Sequence, residues 1–159
     1  MILKIKKYPD PVLRKKAGKI EEITPEIKKL GQDMIETMQR SDPEGVGLAA
    51  PQVGALRRVI VVETGQGPAV FINPQILKKS KETEIMEEGC LSLPGVLLKI
   101  KRAKKIELEV LDIEGEKSRI EAEGIVARIF QHEIDHLDGV LIIDKVNFWR
   151  KLKSTFTKK

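Results

Sequence analysis

Gln131-His132-Glu133-Ile134-Asp135-His136 holds both histidines of the chain, four residues apart, with a carboxylate beside the first. On a helix that spacing stacks two imidazoles one turn apart on one face, the arrangement of a divalent-metal site that carries its own base. At about 100° per residue, with His132 as zero, Ile125 falls at about 20°, His136 at about 40°, Ile129 at about 60° and Glu133 at about 100°. Val126, Phe130, Ile134 and Leu137 follow between about 120° and about 200°, and Ala127, Arg128, Gln131, Asp135 and Asp138 take the remaining arc. More than half of the circumference is apolar or metal-binding, which predicts a helix at the centre of the core. Gly124 precedes this helix, and Gly139 is placed to be the residue just past its C-terminus.

Two neutral imidazoles suit zinc, iron, nickel or cobalt, but a catalytic ion ordinarily takes three protein ligands and keeps a position for water. No other histidine exists, so the third ligand is a carboxylate or the single cysteine, Cys90, in Glu88-Gly89-Cys90-Leu91-Ser92-Leu93-Pro94-Gly95. A lone cysteine is most often a small buried hydrophobe. Here the neighbouring glycine and the Pro-Gly turn sharpen the chain where a ligand would be presented, and they favour the thiolate. One cysteine forms no internal disulfide, in keeping with a reducing compartment.

Further out, Thr24 as N-cap and Pro25 at the first helical position open an amphipathic run, Ile27, Leu30, Met34, Ile35 and Met38, that ends near Ser41. Strand-like runs lie at 59–62, 70–72, 106–111 and 118–122, the last after a turn at Glu114-Gly115. The expected class is α+β: antiparallel β-strands packed around a central metal-binding α-helix, with an N-terminal helix and a C-terminal helix. A hydrophobic content of 41% with no dividing linker or repeat fits one domain over residues 1–159. The opening Met1-Ile2-Leu3-Lys4-Ile5-Lys6-Lys7 is too short and too charged for a signal peptide, and no 18-residue apolar run occurs, so a cytoplasmic, soluble protein is expected.

The net charge of +5 is uneven. Lys145, Arg150, Lys151, Lys153, Lys158 and Lys159 face no acid after Asp144, so the rest of the chain is slightly acidic. Val146, Trp149, Leu152 and Phe156 recur at helical spacing, which makes 145–159 a basic amphipathic tail, either docked by its apolar edge or in electrostatic contact with RNA.

Three segments together resemble one family, the peptide deformylases: Gly45-Val46-Gly47-Leu48-Ala49-Ala50-Pro51-Gln52, then Glu88-Gly89-Cys90-Leu91-Ser92, then Gln131 to His136. The likeness runs from Pro9-Asp10-Pro11-Val12-Leu13-Arg14 to Ile142-Ile143-Asp144. The resemblance implies removal of the formyl group from the N-terminal formyl-methionine of new polypeptides, releasing formate. It implies one divalent ion on Cys90, His132 and His136, ferrous iron in the cell, with zinc, nickel or cobalt accepted. Nascent formyl-methionyl peptides are the implied partner, and neither a membrane nor DNA is. Glu133 would move the proton between water and the departing amine, while Gln52 and the backbone N–H of Leu91 would steady the oxyanion.

Gly45, Val46 and Gly47 would meet an extended substrate backbone, with Glu88 also at the substrate site and paired with Arg102 as a brace. Ile125 and Ile129, with Val46 and Met86 opposite, would take the methionine side chain. Lys101 stands where proline is common in relatives, and the stretch 96–101 is expected to be a substrate-side loop. Two other readings remain: a zinc endopeptidase, which shares the HExxH pattern but needs another ligand in place of the cysteine, and a non-catalytic module whose structural ion has four protein ligands.

Overall fold

The computed structural model describes residues 1–146; the helix expected over the basic tail lies outside them. The N-terminal helix α1 spans Pro25–Gln39, and the Thr24 hydroxyl accepts from the Ile27 backbone N–H at 3.3 Å. Such a cap contributes about 1 kcal/mol and explains why the helix starts there. Strands β1 (Gly47–Ala49), β2 (Val59–Glu63), β3 (Pro68–Lys79), β6 (Lys105–Leu111) and β7 (Lys117–Glu123) form an antiparallel sheet in the order β1-β2-β3-β6-β7. Strands β4 (Thr83–Cys90) and β5 (Leu93–Ala103) make a separate hairpin, and α2 spans Gly124–Leu137.

The unbroken Val59-Ile60-Val61-Val62 run is buried on both sides of β2. With side chains alternating at period two, Val59 and Val61 pack with Ile27, Met34 and Met38 of α1, whereas Ile60 and Val62 pack with Ala127, Phe130 and Leu137 of α2. The sheet is thus the middle layer between two helices. Each of those four side chains stabilises the layer by roughly 1.5–3 kcal/mol through loss of exposed apolar surface.

Helix α2 is more enclosed than its sequence pattern implies. Arg128 and Gln131, assigned to the outer arc, are buried, and Ile125, assigned to the inner stripe, is 57% exposed. Gln131 behaves as a strand residue: its Oε1 accepts from the Ala103 N–H at 3.1 Å and its Nε2 donates to Ala103 O at 2.9 Å, tying the helix to the end of β5. Past the helix, Gly139 has φ +74° and a Cβ there would lie 2.5 Å from Arg14 O, so glycine is required by both conformation and space.

Two expectations about strands are corrected. The run at 70–72 grows into the longer β3 because its Pro74 sits in a bulge between Ile72 and Gln75. Beside it, Asn73 adopts φ 50° and clips Ile20 through hydrogen bonds to both its N–H and C=O. The stretch 96–101, expected to be a loop, lies inside β5, and Leu91-Ser92 is the turn that joins it to β4. No helix among the described residues is long and apolar enough to cross a membrane.

Candidate metal centre and its cleft

Cys90 is the last residue of β4, and His132 and His136 stack on α2 with ring centroids 5.0 Å apart. The hairpin brings the sulfur against the helix. Cys90 Sγ lies 3.3 Å from His136 Nε2, His136 Nε2 lies 3.3 Å from His132 Nε2, and all three donor atoms fall within 4.8 Å of one another. Two imidazole nitrogens bonded to one ion at 2.0–2.1 Å with tetrahedral angles stand about 3.3 Å apart, so this triangle fits a single divalent cation. Its two nitrogens and one sulfur suit borderline metals. Among the described residues the cluster holds these three donors.

Glu88 fixes which ring nitrogen of His132 faces the triangle. Its Oε1 lies 2.9 Å from His132 Nδ1. An ionised carboxylate accepts the Nδ1 proton and leaves the Nε2 lone pair for an ion. Glu88 stays ionised because, although burial favours its neutral form, hydrogen bonds from Arg102 and then from His132 hold its pKa well below the usual carboxylate range. Arg102 donates to both carboxylate oxygens at 2.9 Å, and Arg128 Nη1 donates to Oε2 at 2.5 Å. Glu88 borders the cleft, and with its oxygens engaged by Arg102, Arg128 and His132 it also braces an imidazole, the partner Arg102 being the one expected from the sequence.

Burial alone would lower the His132 pKa, but the charge of Glu133 and hydrogen bonds to Cys90 and Glu88 raise it to about 10. An ion on His132 Nε2 would take the place of that proton, since both need the same lone pair. Burial, and then the neighbouring His132 charge, push His136 well below the ordinary histidine value, keeping it in the lone-pair-bearing form. Burial raises the Glu133 carboxyl to about 7 against the opposing pull of His132. Glu133 Oε1 is buried and has no hydrogen-bond partner among the described residues, so an acceptor faces the site unsatisfied.

A cleft of about 960 Å³ opens on this centre. Gly45, Val46, Gly47, Gln52, Leu91, Ile125, Ile129 and Glu133 all border it, so the structure brings together the residues singled out from the sequence. Met86 is not among them; it lies on β4 opposite Ile100. The Gly47 backbone passes so close to α2 that a Cβ there would collide with Glu133 Oε2 and lie 2.8 Å from Ile129 Cγ2. Gln52 is buried and held at both ends: its Oε1 accepts from Ala49 N–H at 2.9 Å, and its Nε2 donates to Ser92 Oγ at 3.1 Å and to Cys90 Sγ at 3.5 Å.

Arg128, Ser92 and Gln131 were not singled out by the sequence reading. Only Arg128 left a usable signal: a cation one turn before His132 falls about 40° from it, beside the imidazole stripe.

Comparison with known proteins follows the same lines. The sequence profile described as polypeptide deformylase matches residues 2–152. The peptide deformylase of Dictyoglomus turgidum is 50% identical over 145 residues, covering 91% of this chain and 93% of that protein. That of Thermodesulfovibrio yellowstonii is 52% identical over 151 residues, covering 92% and 90%. The crystal structure of peptide deformylase from Thermotoga maritima superposes with a TM-score of 0.88 at 47% identity, covering 92% of this chain and 99% of that one. A peptide deformylase from Synechococcus elongatus in complex with actinonin gives 0.90 at 39% identity, covering 98% and 85%.

Proposed function

The chain belongs to the polypeptide deformylase family and is a metal-dependent enzyme that removes the N-formyl group from nascent polypeptides, and from that premise we propose how its own residues divide the work. Cys90, His132 and His136 hold the ion, and Glu133 handles the proton. The observation that carries this reading is the triangle of three donor atoms with the unsatisfied Glu133 oxygen beside it. A bound divalent ion supplies Lewis acidity, bringing the pKa of water towards about 7 and polarising a carbonyl. Iron(II) is the ion proposed for the cell, on a donor set that also accepts zinc, nickel or cobalt.

Glu133 Oε1 accepts a proton from the attacking water, and the same carboxyl then delivers it to the departing amine nitrogen. Burial pushes this carboxyl up from the ordinary glutamate value, the direction that suits a group which must return the proton as well as take it. As the formyl carbon becomes tetrahedral, the Leu91 N–H and the Gln52 amide donate to its oxygen. Gln52 is aimed by Ala49, and one of its two present acceptors, Ser92 Oγ or Cys90 Sγ, gives way to substrate. Gly45, Val46 and Gly47 align the peptide backbone, and Val46, Ile125 and Ile129 receive the methionine side chain. Val46 and Ile125 are more than half exposed, apolar surface that the substrate's methionine side chain would cover.

Formate release from a formyl-methionyl peptide, by protein purified without oxygen and assayed for metal, tests the whole reading. Turnover proportional to bound iron is expected, with none on the N-acetyl analogue or on internal peptide bonds. Comparable cleavage of internal bonds would favour the endopeptidase reading. The three-donor cluster speaks for a catalytic ion over a closed structural one, because it leaves room for solvent.

We also assign the enzyme to the cytoplasm, and its basic tail to an electrostatic contact with ribosomal RNA, on the strength of its unbalanced cations. A chain truncated after Val146, which keeps that buried side chain and the Lys145–Asp135 pair, should cosediment with ribosomes less than the parent at low salt while hydrolysing a free formyl dipeptide at the same rate. Unchanged cosedimentation would reject the tail's role.

A further inference from the structure

The three donor atoms come from two elements that nothing covalent holds in register nearby: the sulfur from the β4–β5 hairpin, the nitrogens from α2. Their convergence depends on what fastens hairpin to helix. Arg128 leaves α2 one turn before His132 and is only 5% exposed. Its guanidinium makes three kinds of contact on the hairpin: Nη1 to Glu88 Oε2 at 2.5 Å, Nη1 to Ile100 O at 2.9 Å, and Nη2 to Glu84 O at 2.7 Å. It therefore grips both strands, β4 through Glu84 and Glu88 and β5 through Ile100. Arg102 runs the other way, from β5 to Asp135 of α2 at 2.6 Å, while also holding Glu88. Two guanidinium groups thus cross the same gap in opposite directions, and Glu88, between them, is the residue that orients His132.

Arg102 alone secures the Glu88 carboxylate with two bonds, so Arg128 adds little to the charge state of Glu88 that Arg102 does not already provide. Gln131 fastens the helix to Ala103 at the end of β5; what Arg128 adds is the pair of main-chain anchors at Glu84 and Ile100, which reach both strands and set where the one ending in Cys90 lies along the helix. We propose that Arg128 is a positioning residue of the metal centre, fixing the Cys90 strand against the His132–His136 helix so that sulfur and nitrogens meet at one ion. This rests on Cys90, His132 and His136 being the ligands. A lysine cannot substitute fully, because one ammonium on a flexible stem does not reproduce a planar fork that reaches a carboxylate and two carbonyls together.

The test uses the full chain loaded with cobalt(II), whose thiolate-to-metal absorption band reports the bond to Cys90 and whose loss to a chelator gives the release rate. The parent should show the band; a parent without it refutes the ligand assignment itself rather than the role of Arg128. With the band present, Arg128→Leu is expected to weaken or shift it and release cobalt about 10–100-fold faster, the range seen when a group supporting a ligand is removed. Arg128→Lys should fall between Leu and the parent. Arg119→Leu, which removes an exposed cation paired with Glu107 far from the centre, should leave band and rate unchanged.

A purely structural role would lower the melting temperature of Arg128→Leu while leaving the folded protein's band and release rate at parental values well below that temperature, and this result overturns the proposal. Should Arg128→Leu not fold, Arg128→Lys decides: release within twofold of the parent overturns the proposal, and faster release with a native melting curve supports it.

Discussion

Glu133→Gln should bind metal as the parent does and lose about 10²–10⁴-fold in kcat, the contribution expected of a positioned acid–base group. The amide keeps the volume and one acceptor but neither takes the water proton at neutral pH nor returns it to the amine. Because Glu133 touches none of the donor atoms among the contacts of Cys90, His132 and His136, metal content should remain stoichiometric. Formate release under saturating formyl-methionyl peptide, with metal analysis on the same sample, checks both halves. Near-parental turnover would remove Glu133 from the chemistry, and loss of metal together with activity would make it a ligand or a structural prop.

Glu88→Ala should be the most damaging single change to the fold. It strips Arg128 of its carboxylate partner and leaves Arg102 with Asp135 alone, both arginines being 5% exposed, and breaking a buried ion pair from one side costs about 3–5 kcal/mol. At roughly 2–4 °C per kcal/mol for a chain of this size, thermal unfolding should begin on the order of 10 °C earlier. Acid should mimic the substitution in the parent. Glu88 has a folded pKa well below its ordinary 4.5, so the unfolded chain takes up its proton first as pH falls. The stabilisation is complete above pH 4.5 and drains away as pH drops through the folded value. Glu88→Gln should flatten that part of the curve. Melting temperatures of parent and both variants from pH 7 down to pH 3 measure the effect, and parallel curves would mean that Glu88 is not the residue titrating.

The two helices and the α2 histidines were legible because burial on one side imposes a period, and Thr24-Pro25 and Gly139 mark ends by local chemistry alone. The β4–β5 hairpin was not. Nearly all of β4 is exposed, so Thr83–Cys90 shows no alternation, and Pro94-Gly95 imitates the turn that Leu91-Ser92 makes. The identity of the site residues was readable in the motifs, and so, through the resemblance, was the pairing of Glu88 with Arg102, but the part that Arg128 takes in it was not. Arg128 looks like a surface charge in a one-dimensional pattern, and only the approach of hairpin to helix buries it against Glu88. Gln131 was misjudged for a related reason: its amide matches the hydrogen-bonding of a peptide unit, which makes a polar side chain as burial-worthy as an apolar one where a strand ends beside it.

The bare main chain at position 47 ties two distant stretches of sequence into one heritable unit. A carboxylate on α2 occupies volume that any larger residue on β1 would claim, so the first methyl added to the strand evicts the proton carrier from its seat. Variation can enter the neighbouring Val46, whose side chain reaches into open solvent, without disturbing that seat. Tuning of which peptides are accepted is therefore channelled to the rim, while the spot beneath the reacting carbonyl is frozen by the mere size of its neighbour.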